Sequence, residues 1–192
     1  MVFAEEHMLF ILTGEKQSGK TRWLEAVVSK LDASDIPVCG VLAPGTWNDN
    51  LEKTAIDNLL LPEGERFEFG IRRDLVETSS DYAANPLNLG WLFYENALAR
   101  TNAHLKSLAH TDGNRFLIID ELGPTELNKA AGIIEGLNLI DAGENNPFLN
   151  ALIVVRSSLR DLALKRFGDK WDTCVIKPDD KSMDLLLSRL SE

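Results

Sequence analysis

The stretch that most constrains this chain is Gly14-Glu15-Lys16-Gln17-Ser18-Gly19-Lys20-Thr21, which satisfies the phosphate-binding pattern G-x-x-x-x-G-K-[ST] at each specified position. The chemistry needs those residue types at that spacing. Glycines let the backbone wind tightly enough to aim several N–H groups inward, and the helix that follows adds its positive N-terminal end. Lys20 is then expected to reach the β/γ-phosphates and Thr21 to hold Mg²⁺, with Gly14, Glu15, Lys16, Gln17, Ser18 and Gly19 around the phosphates and Arg22 just beyond them. The flanks suit the motif. Met8 to Thr13 is a short apolar run of strand type, and Arg22 to Leu31 places Trp23, Leu24, Val27, Val28 and Leu31 on one helical face. Strand, glycine loop and helix together predict a nucleotide-binding α/β protein.

Charge narrows the partners. With 30 acidic against 20 basic residues the formal net charge is −10, a surface that repels phosphate backbones and anionic lipid. Arg72-Arg73 is the one adjacent basic pair and reads as a solvated hairpin end. Neither a nucleic-acid nor a membrane partner is expected, and no apolar run approaches the length of a membrane span. Met1 to His7 carries two acids and lacks a basic n-region, so no signal peptide is expected. Cys39 and Cys174 lie inside short apolar runs, where they act as small hydrophobes rather than as a disulfide or metal framework. These features suit a cytoplasmic protein. Its 192 residues fit a single domain spanning 1–192.

Along the chain, Ile36 to Leu42 reads as a second buried strand, followed by turn chemistry from Ala43 to Asn50. Trp47 in that polar loop is able to stack on a ring or to fold back on a nearby helix, and the second is expected. Thr54 to Leu61 and Arg66 to Ile71 flank Pro62–Glu65 and form an inserted antiparallel hairpin. Glu77 to Asn88 is a loop near the nucleotide. Gly90-Trp91 opens a long helical pattern, with His104 and His110 counted as surface residues. Asp112 to Arg115 turns the chain into Phe116–Ile119, an apolar strand, and Glu126 to Leu139 reads as one helix weakened by Gly132 and Gly136. Ala151–Val155 is a buried strand, Ser158 to Asp161 has capping-box spacing, Thr173–Ile176 is a last strand and Ser182 to Leu190 a last helix.

Hydrolysis needs a metal-organising carboxylate and a group that orients water. Asp120-Glu121, directly after the Phe116–Ile119 run, supplies both at one strand end. A strand beside the phosphate-loop strand would bring Asp120 near Thr21 for Mg²⁺, with Glu121 toward the γ-phosphate. Arg22, Arg156 and Arg160 are all able to supply a transition-state cation, and the sequence does not choose among them. Asp120-Glu-Leu-Gly123 superficially fits the D-x-x-G of GTPases, yet no guanine-reading Asp follows Asn128-Lys129, and the ABC-type Leu-Ser-Gly-Gly-Gln segment is lacking. A small-molecule kinase and a non-hydrolysing nucleotide switch stay open beside a hydrolase.

Phe116-Leu-Ile-Ile-Asp-Glu-Leu-Gly-Pro-Thr-Glu-Leu127 resembles the D-E-[IL]-G-x-x-E-L segment of the small nucleoside-triphosphatase family. The glycine loop, the alanine-rich stretch Trp91 to Leu105 and Ala151-Leu-Ile-Val-Val-Arg-Ser-Ser158 are similar in order and spacing, so the resemblance covers most of the chain. It implies a RecA-like, mostly parallel sheet with an antiparallel addition. It also implies slow Mg²⁺-dependent release of the terminal phosphate from several nucleoside triphosphates. Under it Gly14 to Thr21 bind phosphates, Thr21 and Asp120 serve Mg²⁺, and Lys20 and Glu121 are catalytic. Glu126 belongs to the motif without an assigned role. Ala43, where the family has a hydroxyl residue, and Thr125, where it has a large apolar one, depart from the pattern, and Leu51 to Arg73 matches loosely.

Overall fold

Short apolar runs bounded by turn residues bury both faces when they become parallel strands, and three such runs form the centre of this protein. In the computed structural model, which describes residues 7–77, 81–111, 115–129, 131–145 and 147–191, they are β1 (Met8–Gly14), β7 (Phe116–Ile119) and β8 (Asn150–Arg156). With β2 (Val38–Leu42) and β9 (Asp172–Ile176) they make a parallel core in the order β2-β7-β8-β1-β9. Alternation sends Leu9, Ile11, Leu117, Ile119, Ile153 and Val155 to one face and Phe10, Leu12, Phe116, Ile118, Leu152 and Val154 to the other. Helices α1 (Lys20–Asp32) and α6 (Asp180–Leu190) cover the second face through Leu24, Val27, Leu31, Met183 and Leu186. Against the first lie α2 (Glu95–Leu108), α4 (Ile134–Asp141) and α5 (Arg160–Phe167), through Leu105, Leu137, Ile140, Ala163 and Phe167. Each fully buried Leu, Ile or Phe contributes roughly 1.5–3 kcal/mol, so the three central strands supply a large part of the apolar burial.

The expected hairpin is present as β4 (Lys53–Leu61) and β5 (Glu65–Arg72), and it is extended on both sides. Two three-residue strands join it: β3 (Gly45–Trp47) pairs with β4, and β6 (Trp91–Phe93) pairs with β5. Strand β2 links the two parts, parallel to β7 on one side and antiparallel to β4 on the other.

Several expectations need correction. The strand carrying Asp120 is not beside the phosphate-loop strand, because β8 lies between β7 and β1. Trp91 to Phe93 is strand and not helix, since the open edge of β5 pairs with it; α2 begins at Glu95. The helix expected from Glu126 to Leu139 is two, α3 (Pro124–Lys129) and α4, separated around Gly132. The Ser158 capping box does not form: a 3₁₀ turn covers Ser157–Leu159, and Leu159 stands at the N-cap of α5 without a side-chain bond. His104 is not a surface residue; its side chain is 9% exposed, with Nε2 3.1 Å from the Gly40 carbonyl oxygen. Cys39 is fully buried and Cys174 half-buried. Most of the Met1–His7 segment, most of the Asp112–Arg115 turn and part of the Glu77–Asn88 loop lie outside the described residues. Among the described residues no helix is long and apolar enough to cross a membrane.

Candidate active site

All five parallel strands run the same way, so β1, β7 and β8 deliver their C-terminal ends to one edge of the sheet. Gly14 closes β1, residues 15–19 form an exposed turn, and Lys20 opens α1. The Lys20 ammonium donates to the carbonyl oxygens of Gly14 (3.0 Å) and Glu15 (2.7 Å) and to Ser18 Oγ (3.4 Å), which holds it inside the loop. Burial lowers its pKa, while the charges of Glu121 and Asp120 pull it back up. A lysine so placed is a desolvated cation facing two carboxylates across the strand ends.

Asp120 follows β7 and is 2% exposed. Its Oδ2 accepts from the Ala43 backbone N–H at 3.0 Å, and Thr21 lines the same space in front of it. Burial pushes its pKa up to about 6; the Ala43 N–H opposes this and the neighbouring Glu121 charge reinforces it. Asp120 and Thr21 therefore line one cavity although β8 separates β7 from β1. Glu121 has φ 76°, in the left-handed region that a residue with a Cβ rarely occupies. Outliers of that kind persist where the surroundings over-determine them, and they concentrate at functional sites. Its Oε1 accepts from Arg156 Nη2 at 3.0 Å, which distinguishes Arg156 among the three arginines. Arg22 lines the same cavity but is exposed, and Arg160 pairs with Asp161.

These groups surround a cavity of 420 Å³ walled by the phosphate loop, Asp120, Glu121 and Arg156 from the parallel core and by Trp47, Lys53 and Trp91 from the antiparallel part. Trp47 does not fold back on a helix; it is 46% exposed and stands on this cavity. Lys53 and Trp91 were not legible as site residues, because nothing in their local sequence marks them; Lys53 Nζ lies 5.6 Å from the Trp91 ring centre. Glu126 acquires a clear place. Its carboxylate accepts from the Gly123 N–H (2.9 Å) and the Ile133 N–H (3.1 Å), tying the segment after Glu121 to the start of α4.

The donor set suits a hard cation. Thr21 and Asp120 offer two oxygens with Asp120 desolvated, and among the described residues no cluster of three or more His, Cys, Asp or Glu forms a self-sufficient metal cage. Mg²⁺ is characteristically held this way, by one or two protein oxygens with phosphate and water completing the shell.

No protein-family model matches this chain, and no curated protein matches it in sequence. Two solved structures do match in fold. One is a human cancer-related nucleoside triphosphatase solved in solution, with a TM-score of 0.60 and 18% identity over 97% of this chain and 95% of that one. The other is the crystal structure of THEP1 from the hyperthermophile Aquifex aeolicus, with a TM-score of 0.64 and 18% identity over 96% of this chain and 100% of that one. At that identity the likeness is one of fold, and it extends across nearly the whole length: the chain has the P-loop α/β architecture of these proteins.

Proposed function

We propose that this protein is a Mg²⁺-dependent nucleoside-triphosphatase that releases the terminal phosphate from several nucleoside triphosphates, ATP and GTP among them. The observation that carries the reading is the convergence of Lys20, Thr21, Asp120, Glu121 and Arg156 on one cavity at one edge of the sheet. Residues 14–21, with Arg22 beside them, cradle the phosphates through backbone N–H groups, and Lys20 leaves its carbonyl partners for the β/γ-oxygens. Thr21 and Asp120 hold Mg²⁺, which when bound neutralises charge on those oxygens. Glu121 orients the attacking water and accepts its proton. Arg156, already at the Glu121 carboxylate, supplies positive charge as the terminal phosphoryl group departs.

In this proposal residues 1–192 act as one nucleotide-hydrolysing unit. The buried Cys39, whose thiol burial pushes up to about 12, suits a reducing cytoplasm.

The test is phosphate release from ATP, GTP, CTP and UTP with and without Mg²⁺, in the wild type, Lys20→Ala and Glu121→Gln. Turnover on several bases is expected, lost with Lys20→Ala and reduced on the order of 100-fold or more with Glu121→Gln while nucleotide still binds. Nucleotide binding without turnover in the wild type would overturn the proposal.

A further inference from the structure

The acidic pair also lines a second cavity, of 190 Å³, shared with the hairpin, α2 and the α3–α4 junction. Its apolar wall includes Ile56, Phe69, Phe93, Leu98 and Ile133. Most of its polar groups are satisfied within the protein. Glu126 accepts from two backbone N–H groups, Asp120 from Ala43, and Glu121 from Arg156. The Asn85 amide bonds the backbone of Leu89 and Trp91.

Asn58 is different. It is fully buried, and its Nδ2 donates to Thr101 Oγ1 at 2.7 Å. Thr101 Oγ1 gives its own proton to the Ala97 carbonyl oxygen at 2.9 Å, so it meets Asn58 only as an acceptor. That fixes which end of the amide faces Thr101 and leaves the Oδ1 of Asn58, a residue that lines the cavity, without a donor. An apolar-walled cavity of roughly 150 Å³ accepts a benzene ring, so 190 Å³ takes one substituted ring and is too small for a nucleoside. Hydrolysis by water alone needs no such space beside Glu121.

We propose that this cavity is a binding site for a small neutral molecule built on a single ring, its apolar body against Ile56, Phe69 and Phe93 and one O–H or N–H donated to Asn58 Oδ1. The occupant lies beside Glu121, excludes water there and lowers phosphate release. Binding itself is independent of the proposed hydrolase activity; only this last consequence rests on it.

The experiment uses the full chain saturated with ADP and Mg²⁺, so that the phosphate cavity is filled, and measures binding of phenol and of toluene by ligand-observed NMR titration. Phenol is expected to bind about tenfold tighter than toluene, about 1.4 kcal/mol for one buried hydrogen bond. Asn58→Leu should bring phenol down to the affinity of toluene. Ala83→Phe, which fills the cavity from the loop preceding β6 and replaces none of the proposed catalytic groups, should abolish binding of both. In parallel, phenol should lower phosphate release from ATP in the wild type and not in Ala83→Phe. No phenol binding, a preference over toluene that survives Asn58→Leu, or binding that survives Ala83→Phe would each overturn the site. Intact probe binding with no phosphate release at all would sink the hydrolase reading and leave the site standing.

Discussion

Folding treats two aspartates in opposite ways. Burial pushes Asp120 up to about 6 from an ordinary 3.8, with the Ala43 N–H, Thr21 and the Lys53 charge working against it. Burial also pushes Asp141 up, but the hydrogen bonds and charges of Arg166 and Lys170, at 2.5 and 2.7 Å, outweigh it and hold that carboxyl below its ordinary value. A carboxyl whose pKa rises on folding binds its proton more tightly in the native state. The stability it contributes is therefore complete below about 3.8 and is lost as the pH climbs through about 6, a loss on the order of 3 kcal/mol. Asp141 has the reverse sign: its contribution is present above the ordinary value and disappears as the pH falls through the depressed one. In thermal melts of the nucleotide-free protein in chelator, Asp120→Asn should melt several degrees above the wild type at pH 7.5, the gap closing toward pH 4. Asp141→Asn should melt below the wild type at pH 7.5 and approach it in acid. An Asp120→Asn protein that melts lower at pH 7.5 would contradict the assignment. At this scale the sequence is uneven. Asp120 and Glu121 are legible because acids directly after four apolar residues stand at a strand end. The left-handed backbone of Glu121, the donor-less oxygen of Asn58 and the choice of Arg156 depend on residues distant in sequence, and no local pattern encodes them.

Elements were legible where burial on two faces fixes them, and ambiguous where one neighbour decides. Strands β1, β7 and β8 are continuous apolar runs with turn residues at their ends and admit little else. Trp91 to Phe93 fits a helical and an extended period equally, and the free edge of β5 settles it. The division between α3 and α4 has a more specific cause. Gly132 has φ 76°, and a Cβ added there would come 2.1 Å from Glu126 Oε1. The glycine thus leaves room for the carboxylate that joins Gly123 to Ile133, and its left-handed turn ends the helical path. Burial raises the Glu126 pKa, with the backbone N–H groups of Ile133 and Gly123 opposing. Glu126→Gln replaces one acceptor by an NH₂ group that faces a backbone N–H, leaving a buried donor unpaired at a cost of about 2 kcal/mol. Gly132→Ala should cost a similar amount through strain and displacement of the same carboxylate. Because both act on one junction, the double variant should lose clearly less than the sum of the two, which urea unfolding measures. Full additivity would show that the two residues do not share a task.

The molecule as a whole is a parallel core that carries Lys20, Asp120, Glu121 and Arg156 and an antiparallel part that supplies the facing walls of the same cavity. Both cavities draw walls from both parts: Asp120, Glu121 and Arg156 from one, Ile56 and Trp91 from the other. Their mutual placement depends on β2, the strand with a parallel neighbour on one side and an antiparallel one on the other. Gly40 sits in its middle with φ 118°, paired across to Ile118 and to Leu61. A Cβ at residue 40 would stand 1.9 Å from the Ile118 carbonyl oxygen, which is backbone and cannot rotate away. Relief requires β7 to move, and Asp120 follows β7 directly. Gly40→Ala is therefore expected to cost about 3 kcal/mol or more, in the range reserved for strain at a special backbone conformation. The loss should not stay local. Where the variant still folds, the rise in melting temperature produced by ADP and Mg²⁺ should shrink, because that rise reports affinity for the native site. A surface glycine replaced as a control, Gly64→Ala, has no atom within 4 Å of the added Cβ and pays only for its φ of 73°. It should leave the ADP-induced rise unchanged. If Gly40→Ala lowers stability but retains the full ADP-induced rise, the seam does not position the site, and the two parts are coupled through α2 instead.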